Sequence, residues 1–128
     1  MALAANAYAQ YANTKATTAK PAELTLMLYD GAIKFCNIAE GALETETKDL
    51  EKAHENILKV QKIIAYLQAT LDMKYEVAKD FDRMYSYIDS RLVEANMKKD
   101  LEILKELNGH LHAIRDTWIE VMKRNGLR

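Results

Sequence analysis

Apolar side chains return every three or four residues along most of the chain, the repeat that gathers them on one face of a helix with about 3.6 residues per turn. The first such stripe is Leu24, Leu28, Gly31, Phe35, Ile38 and Ala42. It begins just after Pro21, whose fixed φ and missing N–H suit a first helical turn, so the first helix is expected to start there. Thr45 to Asp49 has no apolar residue and several residues that cap helices, which marks a short connection. Leu50, Ala53, Ile57, Val60, Ile64, Leu67 and Leu71 then follow a strict three-four alternation, the cleanest amphipathic pattern in the chain. Asp72 to Glu76 interrupts it. Val77, Phe81, Met84, Ile88, Leu92 and Ala95 predict a third helix over roughly Tyr75 to Asn96, with Asn96 as its C-terminal residue. Leu101, Leu104, Leu107, Leu111, Ile114, Trp118 and Val121 predict a fourth that ends near Arg124.

Connections of a few residues make successive helices antiparallel neighbours. The expected architecture is all-α: an up-down-up-down antiparallel four-helix bundle over residues 20–128, preceded by a mobile N-terminal arm over 1–19. The arm is rich in Ala, Thr and Asn, and its bulky residues are Met1, Leu3, Tyr8 and Tyr11. Four glycines and one proline in 128 residues fit few, long elements and exclude a turn-rich sheet fold.

Charge narrows the function classes. Eighteen basic residues against nineteen acidic ones leave a formal charge of -1 with no block of five like charges, which argues against nucleic acid or an anionic membrane as partner. No apolar run is long enough to span a bilayer. The single cysteine, Cys36, and the absence of a secretory-signal pattern in residues 1–19 point to a reduced, cytoplasmic setting.

Catalytic or metal chemistry finds little support. A di-metal bundle needs two Glu-x-x-His pairs, and the chain has one, Glu51 and His54. His110 and His112 are two residues apart on a helix and point in nearly opposite directions, so they cannot clamp one ion. Cys36 sits among apolar neighbours, where a buried structural thiol is expected rather than a nucleophile. No glycine-rich phosphate loop or nucleophile elbow is present. Neither a metal nor a cofactor is expected.

The chain instead carries more apolar residues than four core stripes require. Leu26, Tyr29, Ile33 and Cys36 form a second row on the first helix, about 200° from the first at about 100° per residue. Leu58, Tyr66, Tyr85, Tyr87, Ile103, Ile119 and Met122 raise the same question elsewhere. If each helix offers its bundle one inward face, this surplus is covered by the arm, by another chain or in part by water. Six methionines and seven tyrosines suit a surface that repacks against a partner. The expected contacts are Leu26, Tyr29 and Ile33, with Leu58, Tyr66, Ile103 and Leu107 as secondary positions. Tyr8 and Tyr11, one helical turn apart, serve as a displaceable cap.

Several segments together resemble the FliS family of flagellin export chaperones: Ala7 to Thr14 (AYAQYANT), Pro21 to Phe35 (PAELTLMLYDGAIKF), Thr70 to Tyr75 (TLDMKY), Arg91 to Asn96 (RLVEAN) and Arg115 to Trp118 (RDTW). The resemblance implies a cytoplasmic four-helix bundle without catalysis. It also implies binding of the disordered C-terminal segment of flagellin, which prevents premature polymerisation and allows delivery to the flagellar type III export apparatus. For some members it further implies contact with an export-gate protein, an anti-sigma factor or a co-chaperone. Two positions depart from the family pattern: Lys20 stands where a small hydroxyl residue is common, and Ala7 and Ala9 flank Tyr8 without a proline. The alternative reading is a generic helical dimerisation or adaptor module whose surplus apolar face meets a second copy.

Overall fold

A computed structural model describes residues 21–126. The expected arm, with Tyr8 and Tyr11, lies outside the described residues. Within them are four helices, α1 (Pro21–Glu44), α2 (Leu50–Ala69), α3 (Glu76–Lys98) and α4 (Leu101–Arg124), and no strand. Each helix packs on its chain neighbours, and α4 closes the ring on α1. Cross-helix pairs fix the directions. His54 and Asn96 join the start of α2 to the end of α3, Gln68 and Asp82 join the end of α2 to the start of α3, and the Trp118 indole N–H reaches the Ala22 carbonyl at 2.9 Å. The four-helix bundle is therefore antiparallel throughout.

Local chemistry sets the boundaries. The Asp49 carboxylate accepts from the Lys52 N–H, and the Asp100 carboxylate accepts from the N–H groups of Glu102 and Ile103, satisfying donors that the first turns of α2 and α4 leave free. Thr70 closes α2, its hydroxyl donating to the Tyr66 and Leu67 carbonyls. The third helix runs past Asn96 to Lys98, and Lys99 takes the left-handed cap at φ 49°. Asn96 stays within the helix, its amide meeting His54 and accepting from the Lys99 ammonium.

Two stripes differ from expectation. On α1 the row Leu26, Tyr29, Ile33 and Cys36 is buried, while Gly31, Phe35 and Ile38 of the first row are half-exposed. A helix in a closed ring has two neighbours, and α1 uses both rows. Cys36 meets the Leu104 carbonyl and Glu40 meets Asn108 on α4, while the opposite flank faces α2. Ala32 and Ala39, fully buried between the rows, let the backbones approach closely. On α3 the inward positions are Ala78, Tyr85, Ile88, Leu92 and Ala95, so Val77 and Met84 move to the rim.

Candidate functional site

The bundle leaves its large apolar side chains open mainly around α3. Tyr66 on α2, Met73 and Tyr75 in the turn, and Val77 and Met84 on the first turns of α3 are exposed, most of them by half or more. Tyr87, Val93 and Met97 continue along α3, with Met97 82% exposed, and Leu50 opens at the other end of α2. Residues 72–75 have no helix of their own to bury against, which leaves Met73 and Tyr75 in water. A cluster of this kind is costly to leave uncovered and marks a surface that meets something apolar.

The sequence-derived contact residues divide three ways. Tyr66 is exposed on the flank of α2 that carries Lys59 over the Phe35 ring of α1, and Leu58 is half-buried. Leu26, Tyr29, Ile33, Ile103 and Leu107 are in the core, contrary to the expectation of an open groove, because α2 and α4 together occupy both sides of α1. Tyr8 and Tyr11 lie outside the described residues. The exposed set of Met73, Tyr75, Val77 and Met84 was not among the expected contacts. The available signal was two large apolar residues in a turn otherwise built of Asp, Lys and Glu.

The Tyr29 and Tyr85 hydroxyls hydrogen-bond to each other at 2.5 Å inside the bundle. Burial raises the pKa of both phenols, so each stays neutral and serves as the other's partner. The Cys36 thiol is pushed up to about 12, first by burial and then by the Glu40 carboxylate, which leaves it un-ionised and unreactive at neutral pH.

A polar clamp joins the second half of α3 to α4. Glu106 accepts from the Tyr87 hydroxyl at 2.5 Å and from Arg91 at 2.9 Å, and it lies 3.2 Å from His110. Those hydrogen bonds, Tyr87 first and Arg91 second, hold its carboxyl at about 2. Arg91 also pairs with Glu94, which in turn binds Lys98. Arg115 pairs with Asp30 on α1 and with Asp116. The two motif arginines are thus engaged within the fold. Among the described residues, no three His, Cys, Asp or Glu side chains converge to hold a metal ion, and no helix is long and apolar enough to cross a membrane.

Comparison with known proteins agrees with the motif resemblance. The family described as "Flagellar protein FliS" matches residues 4–125. The flagellar secretion chaperone FliS of Bacillus subtilis is 40% identical over 118 residues, covering 92% of this chain and 87% of that protein. The protein of the same name from Salmonella typhimurium is 32% identical over 119 residues, covering 90% and 87%. The flagellar secretion chaperone FliSB of Pseudomonas aeruginosa is 33% identical over 102 residues, covering 78% and 79%. With the match running from before α1 to the end of α4 and spanning most of each relative, the chain belongs to the FliS family of flagellar secretion chaperones.

Proposed function

We propose that this chaperone acts in the cytoplasm on the disordered C-terminal segment of flagellin, holding it unpolymerised and passing it to the flagellar type III export apparatus. The observation that carries the reading is the run of large apolar side chains left open at the α2–α3 corner and along α3, in a member of a secretion-chaperone family. A disordered amphipathic segment laid over the turn before α3 and the open flank of that helix, with Met73, Tyr75, Val77 and Met84, buries its own apolar face together with theirs. Ordering such a segment costs several kcal/mol, so the contact must be long, and an interface above about 1,600 Å² is expected. Bound in this way, the terminus is withheld from filament contacts. The chemistry is binding alone, and no group of the described site is poised as a nucleophile or a base.

The test is calorimetric titration with the C-terminal flagellin segment of the same organism. Saturable one-to-one binding with a large negative heat-capacity change is expected. Absence of binding by the folded protein, together with a concentration-dependent dimer in sedimentation, would favour the adaptor module instead. Export-gate, anti-sigma-factor and co-chaperone contacts are proposals of the same kind, each open to the same titration.

A further inference from the structure

The two halves of α3 are held very differently. Its second half is tied to both neighbours: Asp89 meets Gln61 and Asn96 meets His54 on α2, while Tyr87 and Arg91 meet Glu106 on α4. Ile88, Leu92 and Ala95 are completely buried there. Over residues 76–84 only Ala78 is buried, with Phe81 half-buried against the core. Tyr75 supplies no side-chain cap to the helix, unlike Asp49 and Asp100 on α2 and α4. The ion pairs Lys79–Glu76 and Arg83–Asp80 lie within the helix and are exposed, so they add little. Among the described residues, the polar tie from this half to another helix is the Gln68 amide, which donates at 2.9 Å to the Asp82 carboxylate and, beyond Tyr85, at 2.9 Å to the Ser86 hydroxyl. The Tyr29–Tyr85 pair marks where firm anchoring begins.

We propose that Glu76 to Met84 is a flap that opens as a unit from an otherwise intact bundle, latched by Gln68 and hinged at Tyr85. Local opening takes the segment with the fewest buried contacts and leaves the rest folded. When the flap lifts, Phe81 leaves the core and the apolar surface beneath it is uncovered. The open corner and the labile segment thus coincide, and the bundle can widen its apolar surface there without unfolding.

Amide hydrogen exchange on the full chain tests the flap without any client. In the free protein the amides of Asp80 to Tyr85 should exchange at least roughly 100-fold faster than those of Ile88 to Ala95. Removing the latch with Gln68→Ala should speed the first group roughly tenfold and leave the second unchanged. Tyr75→Asp, which installs the missing cap on an extended backbone at φ -90° and ψ 136°, should slow the first group roughly fivefold. Equal protection along all of α3 would overturn the proposal, as would a Gln68→Ala effect of the same size in both halves. The Tyr75→Asp arm stands even if Gln68→Ala does not fold.

Discussion

Helices α1 and α3 both carry apolar side chains on more than one face, and the bundle treats them in opposite ways. On α1 residues of both rows pack against α2 and α4, with Ala32 and Ala39 fully buried between them. On α3 the inward row is completed by Ala78 and Tyr85, and Val77, Met84, Val93 and Met97 are left on the flanks. A second apolar row is therefore not in itself a binding surface. Whether it becomes one depends on whether neighbouring helices pack against both rows, as α2 and α4 do on α1.

The comparison can be broken most sharply by charge. Tyr29→Asp with Ile33→Asp places two carboxylates at positions 1% and 8% exposed, and the expected outcome is loss of the cooperative thermal transition followed by circular dichroism. Val77→Asp with Met84→Asp, at positions 55% and 37% exposed, should leave that transition in place. A folded first variant would mean that the α1 row is open after all. Truncation repeats the contrast on a smaller scale. Ile33→Ala should cost about 2–5 kcal/mol in denaturant unfolding, whereas Met84→Ala should cost clearly less.

The tyrosine pair that links the two helices comes next. Tyr85→Phe leaves the Tyr29 hydroxyl buried without its partner and should cost about 1–3 kcal/mol. The Tyr29→Phe, Tyr85→Phe double variant should lose less than the sum of the two single changes. An additive cycle would mean that the hydroxyls do not depend on each other. At the end of α3, Lys99 holds a left-handed backbone that glycine adopts without strain. Lys99→Gly should raise stability by about 1 kcal/mol, offset in part by losing the ammonium bonds to Asn96.

The smallest expected effect is the acid dependence of the α3–α4 clamp. The folded Glu106 pKa of about 2 lies below the ordinary glutamate value, so its contribution is fully present above the unfolded value. That contribution fades as pH falls from about 4.3, the ordinary glutamate value, toward 2. Glu106→Gln should flatten this part of the stability profile, measured by denaturant midpoints across pH, and an unchanged slope would remove the clamp from the account.

Much of this architecture was legible from periodicity. Four helices, their order and most of their ends follow from three-four spacing and from the polar stretches that interrupt it. The α3 stripe was misplaced because Val77 and Ala78 are adjacent, as are Met84 and Tyr85. Hydrophobicity favoured the larger aliphatic residue, while packing favoured alanine and a tyrosine whose hydroxyl finds Tyr29. The α1 contacts were misread as open because a sequence shows a second row without showing that two helices flank it. Tyr66 is exposed, as its place outside the stripe implies, and the exposed Met73 and Tyr75 lie inside the interruption that separates two helices. The family assignment rested on longer motifs, which do not depend on knowing which face is inward.

The central claim is that the client surface is the open flank of α3 with the turn before it and not the buried rows of α1. Its most direct test is the titration with the flagellin C-terminal segment, carried out side by side on the wild type and on the folded Val77→Asp, Met84→Asp variant. The account predicts one-to-one binding by the wild type and a loss of roughly tenfold or more in the variant, about 1.4 kcal/mol. Equal affinity for both proteins would contradict it and move the client to another face of the bundle.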